Sequence, residues 1–445
     1  MQANDNINAQ FYRYLWAYIL VALSGCLGNV VDGIIVGNLI SADGVSAINL
    51  SKPINQFIFT LHLLINAGAG MLVAYALGKK QIDVARNYFT RALALSMGLG
   101  LLLTVVGGLM FPMQTARLLC SNEQILPLAE DYMRVLLIGN PAFILMWGLS
   151  TMVGVDGSPR LVSTAVIIDN CVNLCLDIVF IKCFGWGITG SSAATVVGHL
   201  VGIAILLTHW RKPENRRLRL VFSSQGLMQS WGRIISQGAP LAVASICLTL
   251  LLLSANTIVL STTGRTGIFV FALCMNLLQV YNLFLSGTCQ TLQSLGAIQV
   301  GKGDHEGVRS VIKKGFRFIT VAMAVTCVVV WVFPQGIARL FGCKELDMLV
   351  ESEEALRVFA LSFIPFCYIY VLMIVYKLYS HHRMALFISF ALSLTVIPVL
   401  WIMARVLPQY IWYSYLVAYL IEAVAIYALH KTQHIVFKLK PVTKN

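Results

Sequence analysis

The sequence predicts an all-α polytopic membrane protein: twelve transmembrane helices in two six-helix lobes built on a parallel internal repeat. Composition, run length and repetition predict it. Hydrophobic residues make up 58% of the 445 against 11% charged, and mean hydropathy is +0.79, far from the balance of a soluble domain of this length. Apolar stretches repeatedly reach the roughly 20 residues that carry a helix across a bilayer. Their continuity, rather than period-two alternation, argues against a β-barrel. Phe-Pro-Met-Gln-Thr-Ala-Arg-Leu at 111–118 returns as Phe-Pro-Gln-Gly-Ile-Ala-Arg-Leu at 333–340, an offset of 222. Gly78 and Gly301, Arg86 and Arg309, Arg134 and Arg357, and Arg160 and Arg383 repeat at an offset of 223.

The spans fall near 12–36, 47–77, 88–111, 126–148, 160–181, 188–209, 234–262, 268–299, 312–333, 356–377, 384–406 and 411–430. The first holds Asp32 among Gly25, Gly28 and Gly33 and has no proline. The second opens on Lys52-Pro53 and places His62 and Asn66 on one face, where they meet substrate or hydrogen-bond to neighbouring helices. The third ends at the repeated Phe-Pro. Pro141 in the fourth and Pro365 in the tenth stand 224 residues apart, as flexible points or static kinks. The fifth carries a polar stripe, the sixth Thr195. The seventh has no acid, Glu351, Glu353 and Glu354 precede the tenth, and Glu422 lies in the twelfth, where pairing or contact with water is the favoured reading. Six spans per half give an N-lobe at 1–210, a linker at 211–233, a C-lobe at 234–430 and a tail at 431–445. An even count relates the lobes by an axis along the membrane normal, as in alternating-access transporters.

Of the 32 Lys and Arg, 23 fall on the side that receives the N-terminus, the 211–233 and 302–317 clusters and the C-terminal lysines; six fall on the other. That asymmetry places both termini in the cytoplasm. It also accounts for the net charge of +13 without nucleic acid. No cleavable signal peptide is evident. The eleven cysteines are scattered, and Cys171 and Cys175, one turn apart, fit apolar packing better than a metal site. Asp43 and Asp156 fall in loops and are expected to be solvated.

Charge inside a bilayer costs about 2.5–3.5 kcal/mol per residue even on lenient scales, so Asp32, Asp169, Asp177 and Glu422 call for a function. In the fifth span Asp169, Asn173 and Asp177 are spaced by four. They share an arc of about 80° and form a stripe about 12 Å long. Asn170 lies beside it. Counted from the span ends, Asp32, Asp177 and Thr195 share a depth about 8–10 Å inside the outer boundary, with Asn173 and then Asp169 deeper. Two carboxylates in one low-dielectric pocket bind a proton as a coupled pair. With the amide and hydroxyl oxygens of Asn173 and Thr195 they equally suit a small hard cation such as Na+, and the sequence leaves both open.

These residues make the chain resemble a multidrug and toxic compound extrusion (MATE) transporter. The resemblance rests on Val31-Asp32-Gly33, on Gly78 through Arg86, and most specifically on Asn173-xxx-Asp177 followed by Gly185 and Gly190-Ser191-Ser192-Ala193-Ala194-Thr195. It implies two lobes around a V-shaped cleft and export of small amphipathic, often cationic compounds driven by H+ or Na+ entry. It maps the cation-coupling site onto Asp32, Asn173, Asp177 and Thr195. Asp169 falls outside the shared motif. The acid-free seventh span puts the pattern nearest the DinF-type branch, although the bending proline of some members of that branch is missing from the first helix.

Other readings are weaker. A lipid or oligosaccharide-lipid flippase of the same wider superfamily needs a basic cavity for anionic head groups, whereas the intramembrane charge here is acidic. An enzyme needs a convergent catalytic set, and His381-His382-Arg383 resembles an ordinary basic loop. Two-lobe organisation argues against a passive channel. The expectation is a monomeric, multi-pass transporter of a bacterial inner or plasma membrane, with membrane lipids around it and no cofactor beyond H+ or Na+.

Overall fold

A computed structural model describes residues 2–39, 42–117, 126–211, 217–221, 227–340 and 346–432, and no strand occurs among them. The chain divides into two compact units, Tyr12–Ala239 and Pro240–Asn445 together with Met1–Phe11. The first contains most of α1 (Gln2–Leu39), then α2 (Ala42–His62), α3 (Gly68–Gly78), α4 (Ile82–Leu103), α5 (Pro112–Arg117), α6 (Leu126–Ile138), α7 (Asn140–Val155), α8 (Pro159–Ile178) and α9 (Gly187–Leu207). The second contains most of α10 (Leu227–Thr291), then α11 (Ala297–Lys302), α12 (His305–Val332), α13 (Pro334–Leu340), α14 (Leu346–Leu378), α15 (His382–Leu394), α16 (Val396–Val406) and α17 (Ser414–Thr432).

Among the described residues, ten helices are long and apolar enough to cross a membrane, and α6 with α7 supplies an eleventh span bent by 50°. The protein is an all-α polytopic membrane protein. Where the sequence led us to expect a loop between the seventh and eighth spans, α10 continues unbroken for 65 residues. The segment Ser261-Thr262-Thr263 does not interrupt it, because each hydroxyl folds back. Ser261 and Thr262 both donate to the Ile258 carbonyl at 2.8 Å, and Thr263 donates to Val259 at 2.8 Å. Hydroxyls satisfied inside their own helix no longer compete for its backbone. The first helix is likewise continuous from Gln2 to Leu39 despite its glycines.

The internal repeat survives in the backbone dihedrals. Phe111 (φ −131°, ψ 47°) and Phe333 (φ −124°, ψ 42°) end their helices in the same non-helical conformation, because a following proline disfavours the α region. The proline after each then opens a short helix, α5 or α13. Left-handed corners recur at the repeat offset too: Lys80 (φ 60°) with Gly303 (φ 71°), and Gly157 (φ 103°) with Ser380 (φ 62°).

The prolines break this symmetry. Pro365 lies within a continuous α14, whereas Pro141 follows the α6–α7 bend. Proline has no N–H to offer the carbonyl four residues back, which here is Leu137. The Thr104 hydroxyl takes that role, bonding the Leu137 carbonyl at 2.8 Å, and Asn140 Nδ2 donates to the Gly100 carbonyl at 3.3 Å. In a membrane such freed groups must be satisfied by protein. Thr104→Val, which leaves the Leu137 carbonyl bare, is therefore expected to cost about 1–3 kcal/mol. A fall in thermal midpoint of the purified protein checks it, with Thr326→Val, whose hydroxyl bonds its own helix at Ala322, as the tolerated control.

Asp156 corrects an expectation. Rather than solvated, it is 1% exposed, held by His209 Nε2 at 3.0 Å and Arg217 Nη2 at 2.8 Å. Arg217 belongs to the expected linker. Its carbonyl accepts from Arg86 Nε at 2.8 Å, and Trp210 Nε1 donates to Leu218 at 2.7 Å. Residues 217–221 are thus strapped to the first unit, and the acid is buried because the strap covers it. Residues 212–216, 222–226 and the tail beyond Thr432 lie outside the described residues.

The second unit is packed around aromatic rings, among them Phe359 with Tyr415 (centroids 4.8 Å apart), Tyr281 with Phe363 (5.0 Å) and Phe366 with Tyr419 (5.3 Å). Lys377, the last residue of the tenth predicted span, is fully buried in the last turn of α14.

Candidate functional site: a polar ladder between two helices

The antiparallel pair α8 and α9 carries the polar stripe. It packs closely because α9 presents a small residue at every fourth position: Gly190, Ala194, Gly198 and Gly202, all buried. A Cβ on Gly198 would lie 2.6 Å from Asp169 Oδ1 and 2.8 Å from the Asp169 carbonyl. Only a glycine admits α8 that near.

Next to the small stripe runs a polar one, Ser191, Thr195 and His199, also at every fourth residue. Antiparallel register sets these against Asp177, Asn173 and Asp169. Asn173 Nδ2 donates to Thr195 Oγ1 at 3.1 Å, and the Thr195 hydroxyl donates to the Ser191 carbonyl at 3.2 Å. One turn along, His199 Nδ1 lies 2.9 Å from Asp169 Oδ2 and 3.2 Å from Oδ1. At the opposite end Asp177, level with Ser191, is 0% exposed.

Three expected site residues, Asn173, Thr195 and Asp177, are therefore brought to one face of the helix pair. The Asp32 side chain lies outside the described residues, as do those of Asp43, Lys52 and Arg265. Its helix is nonetheless anchored here: Asn170 Nδ2 donates to Ser24 Oγ at 2.9 Å. Gly28 packs against the same amide, where an added Cβ would lie 3.0 Å from Oδ1. Asn170 thus serves the α1–α8 contact rather than the stripe. Ser24, Gly28 and Asp32 follow at intervals of four along α1, so the backbone places Asp32 two turns further along the helix from that contact.

His62 and Asn66 lie apart from the ladder. Asn66 Nδ2 is 3.3 Å from His62 Nδ1, and Ser96 donates to Asn66 Oδ1 at 3.1 Å. Trp147 stands 5.7 Å from the His62 ring. Both side chains are buried: they bond each other within one helical run, and Asn66 also accepts across from Ser96 of α4.

The sequence reading missed His199. Its signal was the spacing of four from Thr195: the register that sets Thr195 against Asn173 also sets His199 against Asp169. Glu422 was misjudged as well. It is 2% exposed, and neither carboxylate oxygen has a hydrogen-bond partner among the described residues. The repeat explains its place, since at an offset of 223 it corresponds to His199. The same offset turns Asp169, Asn173 and Asp177 into Leu392, Val396 and Leu400, and Asp32 and Thr195 into Ala255 and Ala418. The second half keeps the frame without the ladder. No group of three or more His, Cys, Asp or Glu gathers as a metal site among the described residues.

The MatE family pattern matches twice, at residues 18–179 and 240–402. The two matches start 222 residues apart and end 223 apart, the offsets of the sequence repeat. The multidrug export protein MepA of Staphylococcus aureus (strain bovine RF122 / ET3-1) is 22% identical over 335 residues, 74% of this chain and 73% of its own length. MepA of Staphylococcus haemolyticus (strain JCSC1435) is 23% identical over 343 residues, covering 75% and 74%. Among solved structures, a point mutant of the Vibrio cholerae MATE transporter VcmN superposes with a TM-score of 0.87 at 18% identity, covering 97% of this chain and 98% of that one. An outward-facing multidrug resistance MATE transporter of the MOP superfamily gives 0.85 at 17%, covering 95% of each. These structures share the fold. With a match over both halves at the repeat spacing, the chain belongs to the MatE family of transporters.

Proposed function

We propose that this protein exports small amphipathic, often cationic compounds by cation-coupled antiport. Asp32 and Asp177, with Asn173 and Thr195, would carry the coupling H+ or Na+. The observation that carries the reading is the buried acid Asp177 one turn from the Asn173–Thr195 rung, on a helix pair that otherwise packs through glycine and alanine. A bilayer-embedded acid of this kind is rarely kept without an ion or proton to bind. The MepA relatives, named as multidrug exporters, support the substrate class.

The protein would work as a monomer in a cell membrane with both termini cytoplasmic. Residues 1–210 and 234–430 act as the two lobes, and alternating access moves substrate outward as the cation returns. In everted vesicles, a fluorescent cationic dye is expected to accumulate when a pH gradient or a sodium gradient is imposed, but not with neither. Equal uptake with both gradients collapsed removes the antiport reading. Failure to move any dye, with rescue of a strain lacking a lipid-linked oligosaccharide flippase, favours the flippase instead.

A further inference from the structure

We propose that Asp169 and His199 form a second proton-binding site on the α8–α9 pair, two turns inward of Asp177, which makes the coupling ion of this chain a proton. The inference rests on the antiport reading above and goes beyond it in naming the ion and a new residue. His199 Nδ1 sits 2.9 and 3.2 Å from the two Asp169 oxygens. An ionised carboxylate only accepts hydrogen bonds, so Nδ1 carries the proton and Nε2 is the basic nitrogen. The two side chains are 7% and 13% exposed, and Nε2 has no hydrogen-bond partner among the described residues.

In this state the pair bears one net negative charge in a low-dielectric surrounding. A proton added to Nε2 gives an imidazolium hydrogen-bonded to a carboxylate, with no net charge, and relieves the cost of an unbalanced buried ion. Loss of that proton from Nε2 restores neutral imidazole. Sodium fits this rung poorly. Hard cations take oxygen ligands, and here the imidazole covers both oxygens of the acid.

Few other charges face the pair. From α7 it meets Phe143, whose ring centroid is 5.3 Å from that of His199, and Met146, which lies against Gly202; neither titrates. On α8 the same face offers only Asp177, and Cys171 and Cys175 are exposed. His199 is the sole ionisable residue of α9. The charged residues of α6, Glu130, Asp131 and Arg134, lie where Met133 packs on Ile188, eleven residues along α9 from His199. His209, beyond α9, is already paired with Asp156. From α1, Ser24 bonds Asn170, the neighbour of Asp169, with Asp32 two turns further along that helix.

The test uses the full-length protein in proteoliposomes, with dye transport followed against internal and external pH and, separately, against sodium. Asp169→Asn keeps an acceptor for the Nδ1 proton and removes only the charge, so a purely structural hydrogen bond survives it. The expected result is a pH profile displaced by about one unit toward lower pH, tenfold in proton activity, in Asp169→Asn, where the imidazolium loses its negative partner, and loss of that pH step in His199→Gln, which has no basic nitrogen. The double variant should be no worse than either single one, as for groups acting as a unit. Wild-type transport should be unaffected by sodium at constant pH. Should His199→Gln fail to fold, Asp169→Asn and the sodium arm still decide. Wild-type pH profiles in the folded variants, or transport driven by sodium alone, overturn the proposal. If the wild type ignores both gradients, it is the antiport reading that fails.

Discussion

Asp177→Asn is expected to reduce cation-driven dye export at least tenfold while leaving the protein as stable as before, or more so. The side chain is fully buried, on the helix whose next polar turn holds Asn173. The amide has the same shape, fits the same space and loses only the ability to be charged or to take up a coupling proton. Tenfold corresponds to about 1.4 kcal/mol in a rate or binding constant, well below the several kcal/mol of removing a coupling site, so the loss should be easily seen. Thermal stability points the other way. Holding an ion in a low-dielectric interior costs several kcal/mol, and the neutral amide is spared that cost. Export and thermal midpoint are measured on the same preparation. Wild-type, gradient-dependent uptake by a folded Asp177→Asn protein removes Asp177 from the coupling machinery. A lost transition with lost uptake would mean that it holds the fold instead.

How far the sequence reveals this site depends on the kind of signal. The α8 stripe could be read directly, because residues four apart share a helix face whatever the tertiary structure. Counting residues along two antiparallel spans set Thr195 level with Asp177 and was off by one turn, since the hydrogen bond of 3.1 Å joins Thr195 to Asn173. His199 required one more step of the same register. A lone histidine in an apolar helix carries no signal of its own until the residue opposite it, Asp169, is taken into account.

Loop positions were harder to judge. Asp156 follows a helix end and precedes a glycine, the pattern of a solvated turn. His209 and a strap from Arg217, fifty-three and sixty-one residues away in sequence, cover it. Nothing local encodes such a contact. Glu422 failed for a related reason: a lone acid near a helix end resembles a water-exposed one, and its burial becomes evident only when the repeat aligns it with His199. The long α10 shows a third limit. Ser, Thr and Gly at 261–267 have the composition of a turn, but hydroxyls returned to their own helix carry α10 through it.

Gly198→Ala tests the frame that makes the ladder possible, with Gly202→Ala as its internal comparison. Both are buried glycines on the same stripe of α9, four residues apart, and both face α8. At Gly202 the new methyl would lie 2.6 Å from Met146 Cε and 2.8 Å from its sulfur. That is the tip of an unbranched side chain with three rotatable bonds, which can turn aside. At Gly198 it would lie 2.8 Å from the Asp169 backbone carbonyl and 3.2 Å from Asn173 Cβ. These atoms belong to the α8 scaffold, so relief requires the helices to move apart. Overpacking of that kind costs about 1–3 kcal/mol, against less than about 1 kcal/mol where a flexible neighbour yields. Separation by a few tenths of an ångström also stretches the Asn173–Thr195 contact, already 3.1 Å, past the usual range and brings the 2.9 Å Asp169–His199 contact to its limit. Gly198→Ala is therefore expected to lower the thermal midpoint and to cut gradient-driven export about tenfold or more, whereas Gly202→Ala stays near wild type in both. Two alanine variants that cannot be told apart would mean that close approach of α8 and α9 does not set the geometry of the site.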